Sequence, residues 1–121
     1  MTSQTETQLV ERARELNEYI ANGRIVDAMH EFYSDDCVLQ ENTEPPTQGK
    51  QANIEREKAW LATVKEWKSF NVVAIAASGN VTMTEATFDY VTQDGQDVHV
   101  EQVARAIWSD GRIVNERFYH N

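Results

Sequence analysis

Residues 80–119 read NVTMTEATFDYVTQDGQDVHVEQVARAIWSDGRIVNERFY, and this stretch decides the class of fold. Apolar and polar side chains alternate over 80–92, over 98–108 and over 112–119, the mark of strands with one buried face. Between the runs stand Gln93-Asp94-Gly95 and Ser109-Asp110-Gly111. Three residues with Gly last match a hairpin whose final loop residue is left-handed, so the segment predicts an antiparallel meander. Three-residue loops pair Phe88 with Val100 and Tyr90 with Val98, then Trp108 with Arg112, Ala104 with Glu116, Gln102 with Phe118 and Val100 with His120. One face then carries Phe88, Tyr90, Val98, Val100, Gln102, Ala104, Ala106, Trp108, Val114, Glu116, Phe118 and His120. The other carries Glu85, Asp89, His99, Glu101, Arg105 and Arg117, with apolar Met83, Val103 and Ile107 between them. A two-residue loop at either Gly would flip the assignment.

Upstream, residues 70–77 are rich in Val, Ile and Phe and read as another strand, whereas most of what precedes them has helical period. Leu9, Ala13, Leu16 and Ile20 place a helix over 6–21, stopped by Asn22-Gly23 because Gly tolerates the left-handed position after a helix. Ile25, Met29 and Phe32, with Val26 and Tyr33 beside them, predict a second short helix ending at Ser34-Asp35-Asp36. Cys37 to Glu41 reads as a short strand, and Asn42-Thr43-Glu44-Pro45-Pro46 as a loop. Lys50 to about Lys68 predicts a third helix, with Ile54, Leu61 and Val64 on one face and Trp60 and Trp67 flanking it as core. Helices first and a sheet afterwards make an α+β fold, and 121 residues make a single domain over 1–121.

Eleven Lys and Arg against twenty Asp and Glu give a net charge of −9, which argues against nucleic acid and anionic membrane as partners, since both need a basic footprint. The start MTSQTETQ lacks the charged and apolar regions of a signal peptide, and no apolar run approaches the ~20 residues of a membrane helix, so the cytoplasm is the expected location. The one cysteine, Cys37, has no partner for an internal disulfide and reads as a buried small hydrophobe. Gly49-Lys50 alone makes no phosphate loop, and His30, His99 and His120 fall on three elements without metal-ligand spacing. Asp35-Asp36 reads as a solvated pair rather than a cation site. Neither metal nor cofactor is expected.

What remains is a set of ionisable groups on an otherwise apolar face. Glu41 shares its side of the strand with Cys37 and Leu39, while Glu116 and His120 alternate with Val114 and Phe118. A carboxyl facing an apolar cavity is desolvated and its pKa rises, which suits a general acid or base near neutral pH. No Lys or Arg lies on the predicted face to hold a charge on Glu41. Tyr33 and Tyr90 offer hydroxyls to the same space.

Phe32-Tyr33-Ser34-Asp35-Asp36 closing the helical hairpin, Cys37-Val38-Leu39, Pro45-Pro46 before Gly49-Lys50, and Asp110-Gly111-Arg112-Ile113-Val114 together resemble the NTF2-like superfamily. The nearest branch is similar to the SnoaL-like polyketide cyclases, with ketosteroid isomerase as a cousin. The resemblance implies a cone in which a strongly curved antiparallel sheet wraps three N-terminal helices around a deep apolar pocket. It implies an acidic base at Glu41 when counted from Tyr33-Ser34-Asp35-Asp36, or at Gln40 when counted back from Pro45-Pro46; Glu41 is preferred because the strand continues from the first anchor. The isomerase's oxyanion donors fall on Leu16 and on Val103 or Ala104, so steroid isomerisation is not implied. The cyclases' last-strand acid falls on Phe118, flanked by Glu116 and His120.

Two functions follow as expectations. The first is a cofactor-independent cyclase or isomerase abstracting a proton next to a carbonyl of a small apolar molecule, with Glu41 as base, Glu116 or His120 handling the second proton, and Tyr33, Trp60, Phe88, Tyr90, Gln102 and Phe118 shaping the pocket. The second is a non-catalytic module of the same fold binding a small apolar ligand or a protein partner. The mixed outer face of the sheet, together with the resemblance, implies a homodimer.

Overall fold

The computed structural model describes residues 5–121; the first four residues of the opening MTSQTETQ segment, read above for a signal peptide, lie outside the described residues. Three helices precede most of the sheet: α1 (Glu6–Ala21), α2 (Ile25–Phe32) and α3 (Lys50–Leu61). The strands are β1 (Tyr33–Glu41), β2 (Thr47–Gln48), β3 (Val64–Ser78), β4 (Val81–Thr92), β5 (Asp97–Ser109) and β6 (Arg112–His120). They form one curved sheet in the order β2-β1-β6-β5-β4-β3. Among the described residues no helix is long and apolar enough to cross a membrane.

Local chemistry explains the helix ends. Thr5 caps α1 through a reciprocal box with Gln8, each side chain accepting from the other's backbone N–H. At its other end Gly23 adopts φ +75°, and the Arg24 and Gly23 amides donate back to Tyr19 and Ile20 carbonyls, as a Schellman stop requires. The buried stripe Leu9, Ala13 and Leu16 then packs with Met29 and Phe32 of α2, Ile54 of α3, and Trp108 and Ile113 of the sheet. Cys37, fully buried, belongs to this core.

Two predicted helices are shorter than their periodicity implied. The second ends at Phe32, so Tyr33 and Ser34-Asp35-Asp36 open β1 instead of closing a helix. The third ends at Leu61, and Trp67 and Lys68 lie on β3. Register shifts along β3 between Val64 and Glu66, Trp67 and Ser69, and Val72 and Ala74 are the reason. Each bulge adds a residue, so inward-facing Val64, Trp67 and Phe70 recur every three residues and imitate a helical stripe. The bulges also bend the sheet around the helices.

The two Asp-Gly hairpins differ. Thr92 and Gln96 close a three-residue loop with Gly95 at φ +86°, and Phe88↔Val100 and Tyr90↔Val98 pair as expected. The second loop holds only Asp110 (φ +53°) and Gly111 (φ +76°), the two left-handed residues of a type I′ turn. Ser109 therefore pairs with Arg112 and Trp108 with Ile113, which puts Ile113 rather than Val114 inside. A bulge at Val114 then restores the facing, so Ala106 opposes Glu116, Ala104 opposes Phe118 and Gln102 opposes His120. The expected partner was one residue out along β6 for Trp108 and two out for Ala104 and Gln102, and Tyr119 lies opposite Val103, not Glu101. Gln102 and Glu116 still face the helices; Arg105 points outward to Asn115. The sheet is also not wholly antiparallel, because β1 runs parallel to β6 with Leu39 opposite Glu116 and Glu41 opposite Phe118.

Candidate active site

The helices and the concave face of the sheet enclose a cavity of about 280 Å³, near the small end of ligand pockets. Leu16, Ile20 and Met29 supply an apolar wall from α1 and α2, and α3 contributes Asn53, Arg56, Glu57 and Trp60. The sheet contributes Tyr33, Glu41, Phe88, Tyr90, Gln102, Phe118 and His120, all singled out from the sequence. Glu116 lies deeper, in a chamber of about 30 Å³ that also borders Tyr33, Gln102 and Phe118. Trp67, expected to be helical core, stands on β3 and lines the cavity. Its indole lies 5.4 Å from Phe88, and Trp60 meets Tyr90 edge to face at 5.1 Å, so one wall is a continuous aromatic surface.

At the open end, Asn42 ties β1 to β6. Its backbone N–H donates to the Phe118 carbonyl (2.8 Å), its Oδ1 accepts from the His120 amide (2.9 Å), and its carbonyl accepts from Arg117 Nε (2.9 Å). The left-handed φ of +49° that this requires suits Asn. His120 Nε2 is thereby held 3.7 Å from Glu41 Oε2. Its Nδ1 lies 2.9 Å from the Asn121 backbone oxygen, which only accepts, so Nδ1 carries a proton and Nε2 faces the carboxyl. Glu41 Oε2 is shut off from solvent and has no hydrogen-bond partner among the described residues. Burial pushes the Glu41 pKa above its ordinary value, opposed by His120 and Arg56 and assisted by Glu44. Arg56 corrects the expectation that no cation reaches this carboxyl: it arrives from α3, braced by donation from Nη1 to Thr47 Oγ1 at 2.7 Å.

Glu57 was not foreseen. Three residues after Ile54 and four before Leu61, it is a charge set into the apolar stripe of α3, and that interruption was the available signal. Burial, then the neighbouring Glu41, raise its pKa to about 7 against the pull of Arg56. Asn53, one turn earlier, fixes the start of α3 by donating to the carbonyls of Thr47 and Gly49.

At the floor, Tyr33 Oη donates to Glu116 Oε1 between two buried side chains. Burial raises the Glu116 pKa to about 8, with Glu41 and Glu57 adding to it and Tyr33 and Arg105 opposing. Tyr33 is pushed well above the usual phenol range, by burial first and then by Glu116. The Cys37 thiol is likewise raised by burial. Asp35 stands in solvent 3.6 Å from Lys50 Nζ, and among the described residues no group of three or more His, Cys, Asp or Glu converges as a metal site.

A profile of the SnoaL-like domain matches residues 13–116. A search of curated protein sequences finds no significant match. Among solved structures, a Jannaschia sp. CCS1 protein assigned as a SnoaL-like polyketide cyclase superposes with a TM-score of 0.85 at 18% identity, covering 100% of this chain and 90% of its own. A Bacillus subtilis protein assigned as an isomerase gives 0.82 at 20% identity, covering 98% and 90%. An LEH-like epoxide hydrolase from M. tuberculosis gives 0.79 at 18% identity, covering 96% and 84%. At these identities the likeness is one of fold.

Proposed function

The chain belongs to the SnoaL-like domain family, and from that premise we propose that its cavity is the active centre of a cofactor-independent enzyme of the cyclase or isomerase type. The substrate class is a small apolar carbonyl compound, for which the aromatic wall supplies a flat surface and the apolar wall excludes water. Glu41 removes the proton next to the carbonyl, and His120, through Nε2, accepts or returns it. The observation that carries this reading is Glu41 Oε2: buried at the cavity, without a hydrogen-bond partner among the described residues and 3.7 Å from His120 Nε2. A base needs a lone pair that nothing in the resting protein occupies, and a proton affinity raised toward neutrality; both are present.

The test uses α-tetralone, a fused-ring ketone, incubated with the protein in D₂O while exchange of its α-protons is followed by NMR. Glu41→Gln keeps the side chain's shape and removes the acceptor, so exchange falls on the order of 10²-fold with ketone binding little changed. Binding without exchange in the unaltered protein would instead leave the ligand-binding module. Association of two copies belongs to the same proposal: the outer face of the sheet leaves Met83 and Tyr119 exposed beside Val103 and Ile107. Sedimentation showing only monomer-sized particles at micromolar concentration would contradict it.

A further inference from the structure

The proton transfer just described leaves Tyr33 and Glu116 unused, although both are almost wholly buried and bonded to each other. Their protons can be counted. At neutral pH the phenol is neutral and the carboxyl, raised to about 8, is protonated, so the bonded phenol and carboxyl together hold two protons. Only one proton fits between them. Glu116 borders the smaller chamber and not the main cavity, whereas Tyr33 borders both. When Glu116 places its own proton in the shared bond, the Tyr33 hydroxyl proton turns to the cavity, whose nearby lining includes the apolar Leu16, Ile20 and Met29.

We propose that Tyr33 is the hydrogen-bond donor for the substrate's carbonyl oxygen and that Glu116 positions it, by donating a carboxyl proton to the phenol oxygen. The inference rests on the proton-transfer reading and supplies its second half. As Glu41 takes the proton, the C–H electron pair moves into the new C=C bond and the carbonyl pair moves onto oxygen. A donor already aimed at that oxygen stabilises the charge as it develops. Tyr33 keeps its proton throughout, so no further acid is consumed. A neutral pair can occupy the floor of an apolar cavity where a fixed charge would be costly. The charged or titratable groups acting on Glu116 are Glu41 and Tyr33 from β1, Glu57 from α3 and, from the outer face of β5, Arg105; those acting on Tyr33 are Glu116, Glu57 and Cys37.

The experiment is the infrared carbonyl stretch of bound α-tetralone. At neutral pH the unaltered protein lowers the stretch, Tyr33→Phe loses that shift, and Glu116→Gln keeps it, because the amide still donates. Above the Glu116 transition at about 8 the carboxylate claims the phenol proton, so the shift disappears in the unaltered protein and persists in Glu116→Gln. An unchanged shift in Tyr33→Phe, or equal pH dependence with and without Glu116, overturns the proposal; so does failure of α-tetralone to show a bound carbonyl band. A ligand-free measurement guards against misfolded variants: protonated-carboxyl absorption at neutral pH that weakens in Glu116→Gln to what Glu57 supplies is expected, and the same absorption with and without Glu116 overturns the proposal. A full carbonyl shift without deuterium exchange sinks the proton-transfer reading and leaves the donor standing. Exchange without a carbonyl shift does the reverse.

Discussion

Glu41 and Glu116 stand on neighbouring strands, two residues apart along the β1–β6 register, Glu41 on the main cavity and Glu116 on the smaller chamber, and their surroundings differ accordingly. Glu116 is enclosed, bonded to Tyr33 and raised to about 8. Glu41 has a side chain 40% exposed, one oxygen shut away without a partner, and His120 and Arg56 close enough to favour its charged form. The same functional group is thus kept neutral at the floor and available to ionise at the open end, and Glu41 adds to the raised proton affinity of Glu116. Environments that push two carboxyls apart divide acid and base roles between them.

The sharpest way to break this comparison is to delete each acid and read stability. Glu116→Ala leaves the Tyr33 hydroxyl without its partner and opens a void in a packed floor, with an expected loss of about 2–4 kcal/mol in denaturant unfolding at neutral pH. Glu41→Ala removes a half-exposed group with no hydrogen bond at its buried oxygen, and about 1 kcal/mol or less is expected. Equal losses would mean that floor and open end are alike.

A second measurement sharpens it through pH. Glu116 binds its proton more tightly folded than unfolded, so its contribution to stability is complete below about 4.5 and declines as pH climbs through the window from 4.5 to about 8. Glu57 adds a decline that ends at about 7. Unfolding free energies measured across this window fall with rising pH, on the order of a few kcal/mol in total. Glu116→Gln flattens the upper part of the curve, while Glu41→Gln keeps that part and moves its upper end to lower pH.

A smaller effect is expected from Asn42→Gly, which keeps the left-handed backbone and removes only the side-chain oxygen that accepts the His120 amide. Stability drops by about 1 kcal/mol, and because His120 is no longer held against Glu41, ketone exchange falls with binding unchanged. A variant with unaltered exchange would show that the strand ends need no clamp.

Much of this arrangement was legible in the residues themselves. Alternation in β4 and β5 fixed which side chains face inward, and Gly95 closed the loop that its pattern implied. Ser109-Asp110-Gly111 has the same pattern but closes as a two-residue turn, because Asp110 also adopts a left-handed backbone. The inward facing of Glu116 survived only because the bulge at Val114 reversed the flip. Bulges leave no local signature: in β3 they spaced Val64, Trp67 and Phe70 like one face of a helix, and so hid a cavity-lining tryptophan. That Glu41, His120, Phe88, Tyr90 and Phe118 line the cavity was legible because strand period is visible in sequence. Glu57 and Arg56 were not: on a mostly polar helix the break that Glu57 makes between Ile54 and Leu61 is a weak signal until the element facing it is known.

The division of labour between the two acids is tested most directly by titrating the glutamate side-chain carboxyls by carbon-13 NMR, with Glu116→Gln and Glu41→Gln assigning the two resonances. Glu116 is expected to show the shift of a protonated acid at neutral pH and to titrate at about 8, with Glu41 ionising below it. Glu116 titrating in the ordinary carboxylate range, or after Glu41 has failed to ionise, would contradict the assignment of a neutral floor and an ionisable base.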